Sequence, residues 1–233
     1  MRCLTALMGD IRYQMKYGFY FLYAFISAIY VVVLFLCPFE YRRIVASVII
    51  LTDPAMLGAF FIGGIWLLEK GEGLHSFWGI SPLKPIEYVL SKAVSLAIIS
   101  TLAANVIAFA GLKENTNYLL LSFGTLFGAM LFTLIGLLIA SYARSVNHYM
   151  LIASLPLIVL ITPPVVAAFG LSTPILDITP GMALWRVIAL SLGLSDGAYG
   201  WLLITMLVWF VIVTILATKR IPIAMQMEGG EKA

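Results

Sequence analysis

Residues Tyr118–Tyr142 read YLLLSFGTLFGAMLFTLIGLLIASY, 25 residues without one charged side chain. A helix rises about 1.5 Å per residue, so roughly 20 apolar residues cross a hydrocarbon core about 30 Å thick. The run is continuous and lacks the alternation of a membrane β-strand. Working outward, five more windows qualify: Phe19–Cys37, Ile44–Leu68, Tyr88–Gly111, Tyr149–Gly170 and Tyr199–Thr218. Of the 233 residues, 62% are hydrophobic and 11% are charged, where an average soluble domain has about 25% charged. Mean hydropathy is +1.05. The sequence therefore predicts an all-α integral membrane protein, one transmembrane domain of six helices over residues 1–233. A cytosolic enzyme, a nucleic-acid binder and a disordered chain are excluded. The net charge of +3 is too small and scattered to mean a polyanion partner.

Orientation follows from Lys and Arg. An even number of spans puts both termini on one side, and that side holds ten basic residues against four on the other. The bias predicts both termini in the cytoplasm. Tyr17, Tyr20, Tyr41, Trp66, Tyr88, Tyr118, Tyr142, Tyr149, Tyr199 and Trp201 cluster near span ends, as interfacial anchors do. The first apolar run is too long for a cleavable signal. Cys3 and Cys37 fall at opposite ends of the first span and cannot pair.

Three segments lie outside the spans. In residues 1–18, Leu4, Leu7, Met8, Ile11 and Met15 form one helical face, which predicts an amphipathic interfacial helix on the inner leaflet. The inner loop is LEKGEGLHSFWGISPLKPIEYVLSK, Leu68–Lys92. Gly71 and Gly73 break the second span. Leu74, Phe77 and Trp78 then stand at i, i+3, i+4 on a short helix that Ser81-Pro82 stops. Such an aromatic knob either fits a partner groove or lies in the lipid headgroups, and composition favours neither. The outer loop, 171–198, holds the apolar run Gly181–Leu194, too short to span. It reads as a re-entrant or interfacial helix before the last span.

Few residues carry candidate chemistry. Asp53 is the one carboxylate well inside an apolar window, about 23 Å above the inner boundary, with Pro54 marking a break beside it. Asn105 reads as an interhelical hydrogen bond and Lys92 as a snorkelling side chain near the inner end. Gly124, Gly128, Gly136 and Ala140 form a small-residue stripe for close packing. Pro156, Pro163 and Pro164 interrupt the fifth span, which suits a cavity-lining or moving helix as well as static packing. Gly193-Leu194-Ser195-Asp196-Gly197 matches the nucleophile-elbow pattern. The histidines, His75 and His148, fall on the opposite membrane face, so no base reaches Ser195. There is no phosphate-binding G-x-x-x-x-G-K-[ST] loop and no Cys/His cluster for a metal, so no cofactor is expected on this chain. Internal repeats and a voltage-sensor or filter motif are likewise not seen.

Residues 69–92 resemble the first cytoplasmic loop of ABC-2-type ABC exporter permeases. Glu69-Lys70, Glu72-Gly73-Leu74, Ser81-Pro82-Leu83, and Glu87-Tyr88 with Lys92 match that family's loop in order and spacing. The six-span layout, the amphipathic helix and the outer re-entrant loop extend the likeness over the whole chain. Arg144-Ser145-Val146-Asn147-His148-Tyr149 is similar to the second inner loop of a narrower group, the permease subunits of fluoroquinolone exporters. The resemblance implies two six-span subunits, homodimer or heterodimer, each docking a separate ATPase that binds the ATP. It makes 69–87 the coupling loop, with Glu69, Glu72, Gly73, Leu74, Phe77, Trp78, Ser81, Pro82 and Leu83 as ATPase-contact residues. His75 and Trp78 depart from the common pattern.

The reading is a multi-pass permease subunit of an ATP-driven exporter for an amphipathic or lipid-like small molecule. Asp53, Asn105, Pro163 and Pro164 are the candidate cargo-path residues. The alternatives are a polytopic enzyme acting on lipids, for which no convergent acid, base or metal group is visible, and a non-transporting anchor or assembly factor. Within the transporter class, a haem-export permease of similar size is the rival.

Overall fold

Gly18 separates the first two helices. Its φ of 75° is left-handed, a conformation that costs glycine least, and it redirects the chain between α1 (Arg2–Lys16) and α2 (Phe19–Leu36). The computed structural model describes residues 2–81, 83–112, 116–171, 174–197 and 200–230. The remaining helices are α3 (Arg42–Thr52), α4 (Leu57–Gly71), α5 (Leu74–Ile80), α6 (Pro85–Gly111), α7 (Tyr118–Ala140), α8 (Val146–Ala168), α9 (Pro180–Ser191) and α10 (Gly200–Gly230). Six stretches are long and apolar enough to cross a membrane: α2, α3 with α4, α6, α7, α8 and α10. The fold is all-α, as the sequence predicts, with no strand among the described residues.

The second span is discontinuous, and the cause is local. Pro54 has no N–H to return to Ile50. The Ile50 carbonyl instead accepts from Ala55, one residue further on, at 3.1 Å. The chain then turns through residues 53–56, and the Leu57 N–H bonds to the Asp53 carbonyl at 2.7 Å to restart the helix. All four turn residues are buried.

Helix α7 is the central post, packed against α4, α6, α9 and α10. A Cβ on Gly124 would stand 2.6 Å from Val187, and one on Gly128 would stand 2.6 Å from Leu184, so these two glycines admit α9. Gly136 meets Ala59 and Ile62 of α4 instead. Eight residues beyond Gly128 a helix has turned roughly 80° off register. The small-residue stripe thus serves two partners rather than one face. Gly128→Val should force Leu184 aside and cost about 1–3 kcal/mol. A lowered melting midpoint in detergent checks this, and an unchanged midpoint refutes it.

Helix α9 is buried within the bundle. Met182, Ala183, Leu184, Val187 and Ile188 are all at 0% exposure. Its N-terminus is set by Thr179, whose Oγ1 accepts from the Met182 N–H at 3.4 Å, and by Pro180 at the first helical position. Gly181 sits against the Leu160 carbonyl of α8. Pro164, four residues after Leu160, cannot donate to that carbonyl, so the proline and the glycine together let α9 approach. Nearby, Arg186 Nε donates to Asp177 at 2.5 Å, and Trp209 donates to the Ile178 carbonyl at 2.8 Å.

Candidate functional site

The inner loop is built by two breaks and a restart. Gly73, at φ 74°, stops the second span in the left-handed cap conformation. Helix α5 follows. The next helix begins at Pro85, and Glu87 reaches back to accept from the Lys84 N–H at 2.8 Å. Ser81 Oγ accepts from Leu83 N at 3.3 Å and fixes the turn between them. Pro82 lies outside the described residues.

Helix α5 has an outer and an inner edge. Phe77 is 58% exposed, and Leu74 is half-buried on the same edge. His75 and Trp78 face the body. The His75 ring lies 4.1 Å from that of Trp66 on α4, and Trp78 lies 5.7 Å from Tyr88 on α6. The predicted Leu74/Phe77/Trp78 face is therefore split, with Trp78 turned toward the protein. Gly73, Ser81 and Leu83 are half-buried, and Glu72 is exposed.

Behind α5 lies a buried ion cluster. Lys92, 1% exposed, donates to Asp10 of α1 at 2.5 Å and to Glu69 of α4. Tyr88 donates to Glu69 at 2.7 Å, and Ser91 donates to Asp10 at 2.7 Å. His75 Nε2 stands 4.0 Å from Glu69. One turn further along α1, Gln14 donates to Ser95 at 2.7 Å. Two carboxylates share one ammonium here. Burial pushes the Asp10 carboxyl above its ordinary range, against the pull of Lys92.

This geometry corrects two expectations. Lys92 does not snorkel to the interface: its ammonium is held inside by carboxylates from two other helices. Glu69, 2% exposed, is likewise turned inward and braces the loop rather than presenting itself at the surface. Glu72 is tied as well, accepting from Tyr17 and, at 3.3 Å, from Tyr13. Burial and the Glu72 charge push the Tyr13 phenol up, which keeps it protonated and able to donate.

Sequence reasoning missed Asp10, Gln14, Tyr13 and Tyr17. Asp10, Tyr13 and Gln14 lie off the apolar stripe of α1, Tyr17 follows its last turn, and their i, i+3, i+4, i+7 spacing was the available signal. Leu4, Met8 and Met15 of the stripe are 66, 53 and 60% exposed, while Asp10 and Gln14 are buried. Asp10 and Gln14 dock on α6, Leu7 and Ile11 of the stripe are half-buried, and Arg12 and Lys16 stay exposed.

The last helix, α10, completes the surface around α5. Arg220 lies 4.1 Å over the Tyr142 ring and donates to the Ser141 carbonyl at 3.5 Å. Beyond it, Ile221, Pro222 and Met225 wall a cavity of about 520 Å³ whose opposite side is His75, Trp78 and Tyr88. Helix α5 thus sits between a solid ionic floor and a recess.

The other singled-out residues lie elsewhere. Asn105 donates to Ser122 of α7 at 2.9 Å, the interhelical bond that the sequence predicts. Pro163 and Pro164 lie within a continuous α8. Asp53 is 6% exposed in the turn of the second span. Ser195 sits in an exposed loop after α9, without the strand-to-helix turn of a nucleophile elbow. Among the described residues no group of His, Cys, Asp or Glu is placed to hold a metal.

No solved structure matches the chain significantly. A protein named fluoroquinolones export permease in Mycobacterium tuberculosis strain CDC 1551 / Oshkosh is 30% identical over 180 residues, 77% of this chain and 76% of the relative. Its counterpart in strain ATCC 25618 / H37Rv matches to the same extent. The model of the fluoroquinolones export permease protein family matches residues 1–221, and on that match this multi-pass membrane chain belongs to the family.

Proposed function

We propose that this chain is the membrane-spanning subunit of an ATP-driven exporter that moves fluoroquinolone-type drugs out of the cell, with a separate ATPase docked on α5. The carrying observation is the build of that helix. Its outer edge offers Phe77 to a partner, while its inner edge is bolted to α4 and α6 through His75 and Trp78. Leu74, Phe77, Ser81, Pro82 and Leu83 meet the ATPase. Glu72 and Gly73 set the angle of α5, and Glu69 holds it to the ion cluster. A push on Phe77 is then carried into α1, α4 and α6 at once, because Lys92 joins all three. Both termini lie in the cytoplasm on this reading, two permease subunits form the pathway, and ATP is bound by the partner alone.

The anchor and lipid-enzyme alternatives lack a comparable feature. The test is ATP-dependent uptake of norfloxacin into inside-out vesicles containing this chain and an ABC ATPase that co-purifies with it. Uptake should require ATP, the ATPase and this chain together. Uptake without ATP, or none at all with a functional ATPase present, overturns the proposal.

A further inference from the structure

Two carboxylates, Asp10 and Glu69, share the ammonium of Lys92, and the three residues are 5, 2 and 1% exposed. The cluster so bonded is one positive charge short of neutral. All four carboxylate oxygens already accept a donor. Asp10 takes Lys92 and Ser91, and Glu69 takes Lys92 and Tyr88. Burial favours a proton on Asp10. Bound there, it would displace Lys92 or Ser91.

His75 of α5 is placed to carry the missing charge without breaking any of these bonds. Its Nε2 stands 4.0 Å from Glu69 Oε2, while Lys92 takes Oε1 of that carboxylate. Its ring lies 4.1 Å from the Trp66 ring, within the range at which an aromatic face attracts a cation. The residue is 3% exposed and walls the recess between α5 and α10, the side from which a proton reaches it. Histidine is the side chain that ordinarily changes charge between about pH 5 and 8. Glu69 meets it from α4, Tyr88 walls the same recess from α6, and Lys92 and Asp10 stand behind Glu69. Across the recess, α10 offers Ile221, Pro222, Met225 and Gln226, none of which ionises.

We propose that His75 is a proton-dependent positioning residue for α5. Its imidazolium supplies the charge that Asp10, Glu69 and Lys92 lack, pairs with Glu69 and seats α5 against α4. Loss of that proton, as pH rises, removes the tie and loosens the helix. This rests on the reading of α5 as the ATPase-docking helix and adds its regulation. Acid on the face that carries α5 tightens the link through which a push on Phe77 enters the bundle.

The test uses the full-length protein in lipid nanodiscs, with Cys3→Ser, Cys37→Ser and a nitroxide on Ser76→Cys, an exposed position of α5. Electron paramagnetic resonance reads the mobile fraction of the label at about pH 5.5 and pH 8, either side of the ordinary histidine range. That fraction should rise about threefold with pH, the value of one modest ion pair. His75→Gln should give the high-pH spectrum at both values. Asp10→Asn, which leaves the cluster neutral without the proton, should blunt the response. A label that ignores pH while His75 is present overturns the inference. So does a response that persists in His75→Gln, which puts the proton on Asp10 instead. Should His75→Gln not fold, NMR of isotope-labelled histidine in the wild-type protein decides. The chain has two histidines, and exposed His148 serves as the reference. A His75 signal that changes charge together with the label's release supports the proposal, and one that does not overturns it. No ATPase is present, so a negative result strikes this inference and leaves the docking of α5 to the uptake test.

Discussion

Lys92→Met is expected to be among the most damaging single substitutions in this protein. It removes the one ammonium between Asp10 and Glu69 and leaves two carboxylates in a site that water does not reach. Removing one partner of a buried ion pair costs about 3–5 kcal/mol, because the remaining charge is uncompensated. For a chain of this size that is a fall in melting midpoint on the order of 10 °C. Fluorescence-detected size exclusion after heating of a tagged protein reads it directly. The triple variant Lys92→Met, Asp10→Asn, Glu69→Gln should recover most of the loss, since no charge is then stranded. A Lys92→Met protein as stable as wild type contradicts the cluster, and a triple variant no better than the single one contradicts the cause.

Phe77→Asp is expected to act in the opposite way, leaving the fold intact and the transport broken. The side chain is 58% exposed, so the substitution removes little packing inside the subunit. At a partner surface, a central aromatic anchor carries about 2 kcal/mol or more, and an aspartate there is also desolvated without a partner. ATP-driven uptake should drop by roughly 10- to 100-fold while the amount inserted and the melting midpoint stay put. Phe77→Leu should keep most of the activity, because it preserves an apolar knob. Full transport by the aspartate variant sinks the docking of α5. Loss of transport together with loss of insertion moves Phe77 into the scaffold instead.

The spans were legible because length and charge are properties of the one-dimensional sequence. Even the break at Pro54 could be read, since the missing N–H belongs to the residue itself. The burial of α9 could not be read: its composition suits an interface as well as a core, and the choice is made by Gly124, Gly128 and Gly181 together. The orientation of α5 was similarly hidden. Leu74, Phe77 and Trp78 are all apolar, and hydrophobicity does not say which of them turns inward. His75 reads as a polar surface residue until the Trp66 ring is brought beside it. Lys92 misled most, because snorkelling is the general habit of a lysine near a span end. The partner that overrides that habit lies 82 residues away in sequence. The rule that polar residues meet water also fails for part of α1, since Asp10 and Gln14 are buried against α6 while Arg12 and Lys16 stay exposed.

That last arrangement has a consequence for biogenesis. The ribosome releases Asp10 long before Lys92, and the first span is inserted while the carboxylate has no counter-ion. Helix α1 is thus made well before its ion pair with Lys92 can close. A truncated or stalled nascent chain ending short of the third span should leave Asp10 without its counter-ion, a natural checkpoint for membrane quality control.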